Sequence, residues 1–207
     1  MMKELDHNLL LLFNQNHSSF WDFIWTLFTD KFLAVPFIGM LLLLVWKKSN
    51  LKTTLLIGFV LIGLVAFTDI FSSLIKNFFQ RPRPCSVNAA ITSQVRVVAD
   101  SLFKGSLVDS NAIKCEKFSF FSAHAAVSFA IATFLASLLR TTYSFIFGLI
   151  IAWAFLVSIS RIYLGFHYPS DILVGAFVGA IFGYVFFRAY QYLGEKTFPK
   201  YYFNPSK

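Results

Sequence analysis

Hydrophobic residues in this chain come in long runs rather than in alternation. Five runs approach the length of a membrane-spanning helix, which needs about 20 apolar residues with a range of about 17 to 25. They cover 32–46, 53–75, 122–139, 143–163 and 171–190. The first closes on Lys47 and Lys48, the second on Lys76 and the third on Arg140. Ahead of them, 8–29 mixes Leu9, Phe13, Trp21 and Trp25 with polar side chains, a pattern that predicts a helix lying in the membrane interface, or a sixth span. The reading is a single all-α membrane domain over 1–207: a polytopic transmembrane helix bundle of five spans plus an N-terminal interfacial helix. The polar residues Asn14, Gln15 and Asn16 interrupt the first apolar run, which sets it apart from a cleaved signal peptide.

Composition sharpens the class. Hydrophobic residues make up 57% of the 207 and charged residues 14%, against about 25% charged in soluble domains. The net charge of +8 is not gathered into one solvated tract, so it reads as a topology signal and a site rather than a nucleic-acid surface. Lys47, Lys48, Lys52, Arg140, Arg188, Lys196, Lys200 and Lys207 fall on one side, which the positive-inside rule makes cytoplasmic. The long loop 77–121 and the short bend 164–170 then face outward. That loop is basic too, through Arg81, Arg83, Arg96, Lys104, Lys114 and Lys117; the assignment rests on charges abutting helix ends in short connections. Arg81 reads as a surface or head-group contact.

Both cysteines, Cys85 and Cys115, fall in the outer loop. A disulfide between them would persist outside the cytoplasm and contribute roughly 3 kcal/mol; the other reading is two free thiols. In the last span Gly175, Gly179 and Gly183 recur at every fourth position. That spacing gives one flat face for close helix approach, inside the bundle in preference to a dimer seam, and leaves the oligomeric state open.

The outer ends of the spans carry Lys76, Arg83, His124, Arg161, His167 and Asp171. Ionisable groups at that depth must face a cavity or a partner. Three cations suit a tetrahedral dianion, with arginine forks matching phosphate oxygens. Two histidines divide the labour of nucleophile and general acid. His167 and Asp171 are four apart across Pro169, which is placed to open the last helix, so Asp171 is expected to hydrogen-bond a ring nitrogen of His167. Ser122 is expected to cap the third span and leave backbone N–H groups free for an anion. Asp69, two turns before Lys76 on the same face, either steadies Lys76 or bonds a neighbouring helix. No clustered carboxylates suggest a metal, and His7 and His17 are remote in sequence.

Three segments carry a resemblance. "KNFFQRPRP" from Lys76, "FSAH" from Phe121 and "SRIYLGFHYPSD" from Ser160 are similar to the three signatures of the type 2 phosphatidic acid phosphatase superfamily. That family includes integral-membrane lipid phosphatases, glucose-6-phosphatase and soluble vanadium haloperoxidases. The middle signature departs from the usual Pro-Ser-Gly-His, with Phe121 for proline and Ala123 for glycine. The resemblance implies catalytic roles for His167 (phosphohistidine), His124 (leaving-group acid) and Asp171, and phosphate binding by Lys76, Arg83, Ser122, Ala123 and Arg161, with no metal or other cofactor.

The expected function is removal of a terminal phosphate from a lipid phosphate or pyrophosphate at the outer leaflet of a bacterial inner membrane. Undecaprenyl pyrophosphate, phosphatidylglycerol phosphate, phosphatidate and lipid A phosphates are the candidate substrates. The rival readings are a phosphotransferase using an acceptor other than water, and a non-catalytic lipid-phosphate binding or transport protein.

Overall fold

The computed structural model describes residues 2–98, 115, 117–139 and 143–197. Arg140, Lys104, Lys114, Lys200 and Lys207 lie outside the described residues. Seven α-helices follow one another: α1 (Met2–Gln15), α2 (Ser19–Thr29), α3 (Lys31–Lys48), α4 (Leu51–Phe79), α5 (Ala123–Leu139), α6 (Ser144–Tyr163) and α7 (Pro169–Thr197). Among the described residues there is no strand, and the isolated bridge between Pro82 and Phe118 lies between α4 and α5.

The five predicted spans correspond to α3–α7. Three of these, α4, α6 and α7, are each long and apolar enough to cross a membrane. At 17 residues α5 is shorter, about 25 Å at 1.5 Å per residue. The stretch predicted as one helix over 8–29 is two. Ser18 takes extended backbone, and its hydroxyl accepts the Trp21 N–H at 3.3 Å, so α2 starts afresh behind the polar Asn16–His17 break. It then meets α3 at a 50° bend, and the two together have the length of one broken span.

α5 is apolar all round, and its residues are buried on nearly every face, as a helix at the centre of a bundle must be. α4 and α6 pack on its flanks, and α7 covers it most extensively. The α5–α7 contact uses the glycine stripe. A Cβ on Gly175 would meet the Ser122 carbonyl oxygen at 2.6 Å, one on Gly179 the Ala126 oxygen at 2.0 Å, and one on Gly183 the Ala130 oxygen at 2.3 Å. The face therefore packs within the bundle. Outward, α4 exposes Leu55, Phe59, Ile62, Ile70, Leu74 and Phe78, and α7 exposes Leu173, Phe177, Ile181 and Val185. Apolar stripes of that extent, on helices of this length, belong against lipid, and the chain is an integral membrane protein.

Between α4 and α5, Cys85 and Cys115 are disulfide-bonded across 30 residues. Loop closure of that length stabilises by roughly 3–4 kcal/mol. Reduction, or Cys85→Ser with Cys115→Ser, should lower the thermal midpoint in detergent by about 5–10 °C; an unchanged midpoint would show that the loop is held by its other contacts alone.

Candidate active site

The charged side chains at this end of the bundle are placed by helix ends and the loops that join them. Lys76 stands in the last turn of α4, which Gln80 terminates with a left-handed φ of 48° and an N–H bond to the Lys76 carbonyl. The chain then doubles against 117–119. The Arg83 N–H donates to the Lys117 carbonyl at 3.4 Å, the Ser119 N–H to the Arg81 carbonyl at 2.8 Å, and Arg83 Nε to the Phe118 carbonyl at 3.1 Å. Burial and the bond at Nε keep the Arg83 guanidinium in one orientation.

Ser122 precedes α5 and caps it as expected, its hydroxyl accepting the Ala125 N–H at 3.4 Å. Its own N–H donates to the Asp171 carbonyl at 3.1 Å, tying the start of α5 to the start of α7. Phe121, standing where the related signature has proline, is buried against Phe71. Ala123, in the glycine position, is the first residue of α5; Gln80 is the non-glycine residue at positive φ among those described, so the alanine fits without backbone strain. His124 follows in the first turn and is exposed.

Arg161 occupies the last turn of α6, buried. Its Nη1 donates to Thr29 Oγ1 at 2.8 Å, and its guanidinium lies 4.5 Å from the Phe166 ring centre. Gly165 then turns the chain at φ +82°, where a Cβ would meet the Arg96 carbonyl at 2.5 Å, so both conformation and space demand glycine. The N–H groups of Phe166 and His167 both return to the Arg161 carbonyl, at 3.0 and 3.3 Å. Pro169 opens α7, and Asp171 Oδ2 reaches back to accept the Tyr168 N–H at 3.0 Å.

His167 and Asp171 come together as the spacing predicted, with one difference. Nδ1 of His167 and Oδ2 of Asp171 are 3.5 Å apart, within ion-pair range but without a hydrogen bond. The carboxylate has other donors: Oδ2 takes the Tyr168 N–H, and Oδ1 takes Arg81 Nη1 at 2.7 Å.

Burial, then the charges of Arg83, Arg161 and Lys76, push the His167 imidazole well below the usual histidine range, against the Ser119 backbone, which works the other way by accepting from the ring. The ring is therefore held neutral, which is its nucleophilic form. His124 lies within the same electrostatic reach of Arg161, His167, Arg83 and Lys76. The six charged or titratable positions singled out in the sequence thus share one end of the bundle. A ¹⁵N-histidine titration in detergent should find the His167 ring neutral as pH falls through 6.5, with protonation only well below it; protonation at or above 6.5 would contradict the cationic, buried setting.

Other contributors were not legible in the sequence. Arg81, expected at the surface, is half-buried, pairs with Asp171 and with Asp6 of α1, and lies 4.0 Å from the Tyr168 ring centre. Thr29 reaches Arg161 from 132 positions away. Asp69 is exposed on α4. Among the described residues no three His, Cys, Asp or Glu side chains are grouped as a metal site would require.

Residues 53–195 match the family description of the PAP2 superfamily. A lipid A 4'-phosphatase of Bacteroides thetaiotaomicron is 35% identical over 191 residues, covering 90% of this chain and 77% of that protein. A lipid A 4'-phosphatase of Porphyromonas gingivalis is 28% identical, over 91% of this chain and 74% of its own length. Among solved structures, the PAP2-type phosphatidylglycerolphosphate phosphatase of Bacillus subtilis superposes with a TM-score of 0.63 at 18% identity, covering 95% of this chain and 87% of the other. Aquifex aeolicus LpxE superposes with a TM-score of 0.59 at 24% identity, over 89% and 95%.

Proposed function

Because the chain belongs to the PAP2 superfamily as an integral-membrane lipid phosphatase, we propose that it removes the 4'-phosphate of lipid A, through a phosphohistidine, on the outer face of the inner membrane. The observation that carries the mechanism is the gathering of a neutral His167, His124 and the cations Lys76, Arg83 and Arg161 at one end of the bundle. The substrate class rests on the two relatives whose name is lipid A 4'-phosphatase, each matched over about nine-tenths of this chain. Undecaprenyl pyrophosphate, phosphatidylglycerol phosphate and phosphatidate are the comparison substrates.

The reaction runs in two displacements. Because Nδ1 of His167 is the nitrogen beside Asp171, Nε2 is the one that attacks. Its lone pair forms the N–P bond as the P–O bond to the sugar breaks, and His124 gives its proton to the departing alkoxide. Lys76, Arg83, Arg161 and the free N–H groups at the start of α5 hold the phosphoryl oxygens as charge develops on them. A water then attacks phosphorus, His124 takes its proton, and the N–P bond breaks to release inorganic phosphate and restore His167 neutral. An arriving dianion offsets the charge of Lys76, Arg83 and Arg161, which favours a protonated His124 beside the leaving group.

The test is phosphate release by purified protein in EDTA from the four lipids. Lipid A turned over fastest, with free phosphate as product and no loss in EDTA, is the expected result. Equal or faster release from another lipid moves the substrate. A new phosphomonoester in place of free phosphate makes the protein a transferase, and loss of activity in EDTA contradicts the metal-free route.

A further inference from the structure

The end of α7 that carries Asp171 is gripped by two residues outside the catalytic set. Asp6, on α1, is buried. Its Oδ1 accepts the Ser170 N–H at 2.9 Å, and its Oδ2 accepts the Ser170 hydroxyl and Arg81 Nη2, the latter at 2.6 Å. A carboxylate there satisfies one of the free N–H groups in the first turn of α7 and complements the positive end of its dipole. Arg81 in turn donates from Nη1 to Asp171 Oδ1 and to Ser170 Oγ, each at 2.7 Å. Its guanidinium covers the Tyr168 ring at 4.0 Å, and His7 of α1 stacks on the same ring at 5.5 Å. Every residue from Tyr168 to Asp171 except Pro169 is therefore held by α1, by Arg81 or by both.

We propose that Asp6 and Arg81 are positioning residues for the phosphoryl-transfer site. Arg81 compensates the buried charge of Asp171 and fixes its rotamer, and Asp6 fixes Arg81. Asp171 is fully buried, so an uncompensated carboxylate there is strongly disfavoured. With Arg81 in place the negative charge of the carboxylate is compensated where Oδ2 lies 3.5 Å from Nδ1, an arrangement that favours the tautomer protonated at Nδ1 and leaves Nε2 free to attack. Arg81 also sits two residues before Arg83 and bonds to the nucleophile's own segment, so it sets the phosphate-binding loop against the nucleophile. On this account α1 is part of the catalytic apparatus and more than a membrane-surface anchor. The inference rests on the phosphohistidine reading for its kinetic test but not for its spectroscopic one.

The experiment compares Asp6→Asn, Arg81→Gln and the double variant with the parent and with Asp22→Asn. Asp22 braces α2 through Arg96 and Tyr163, away from Asp171. Three quantities are read: kcat and KM on the best lipid of the panel, the ¹⁵N shifts of the His167 ring assigned with His167→Ala, and the thermal midpoint. Each single variant should lose about tenfold or more in kcat with KM little changed. The double variant should lose no more than the worse single, because the pair acts as one unit. The His167 spectrum should move from one neutral tautomer to a mixture. Asp22→Asn should lower the midpoint and leave the tautomer alone. If Arg81→Gln does not fold, Asp6→Asn, which removes a charge and no volume, carries the test. A kcat within twofold of the parent in the folded single variants overturns the proposal, whatever happens to the midpoint. Should the parent turn over no lipid, the phosphatase reading fails, and an unchanged His167 spectrum then overturns this inference separately.

Discussion

Replacing His167 with alanine should reduce phosphate release by at least about 10⁴-fold, the scale on which enzymes lose a covalent nucleophile. The ring is buried, and its approach is fixed by backbone bonds to the Arg161 carbonyl. No other described side chain at the site is placed to replace it: His124 lies one helix away on α5 and is assigned the proton. His124→Ala should be less damaging for a substrate with a good leaving group, such as p-nitrophenyl phosphate, than for a sugar phosphate. His167→Ala should be equally severe on both. Equal retention of activity in parent and His167→Ala would remove this residue from the reaction.

The second large effect is structural and reaches the site through packing. Gly179→Ala should lower stability by about 3 kcal/mol or more, above the usual range for an added methyl. The new Cβ would lie 2.0 Å from the Ala126 oxygen and 2.8 Å from the Ala126 carbonyl carbon and Cα. All three are backbone atoms, so no side chain can yield; α5 and α7 must separate. These two helices carry His124 and Asp171, and the Ser122 N–H bonds directly to the Asp171 carbonyl, so kcat should fall along with the thermal midpoint. Gly148→Ala on α6 is the control, because nothing lies within 4 Å of its added Cβ. A Gly179→Ala variant as stable and as active as the parent would mean the helices meet less closely than described.

These two expectations differ in how far the sequence foretold them. The placing of His167 beside Asp171 was legible because its reasons are local. His167, Pro169 and Asp171 lie within one turn of each other, and a proline opening a helix brings a carboxylate four residues on back toward the ring. The glycine stripe was legible as a close-packing face because its spacing is helical, although its partners, the carbonyls of Ser122, Ala126 and Ala130, were not. Helices α4 to α7 followed from apolar runs that end at charged residues or at a bend. The N-terminal region was read less well. One mixed-polarity stretch became two helices because a short Asn16–His17–Ser18 break and a serine cap outweighed the periodicity.

Arg81 shows why the remainder was out of reach. Two residues before Arg83 in a loop rich in basic residues, it had every local feature of a head-group contact. Its partners are Asp171, 90 positions away, and Asp6, 75 positions away. No periodicity or spacing rule joins residues at such separations. Thr29 on Arg161 and Asn14 on the Arg96 and Tyr163 carbonyls are of the same kind. In each case the N-terminal helices, which carry none of the three signatures, supply side chains that complete the end of the bundle where the candidate site lies.

The measurement that bears most directly on the mechanism is to trap the intermediate. Protein mixed with lipid A labelled with ³²P at the 4' position is quenched in alkali within the first turnover and digested, and the labelled peptide is identified. The account predicts an acid-labile, alkali-stable phosphoryl group on the peptide containing His167, absent from His167→Ala and accumulating in His124→Ala if the acid of the first step also activates the water of the second. Label released as free phosphate at full rate with none ever bound to protein, in parent and His124→Ala alike, would contradict the covalent route and point to direct attack by water.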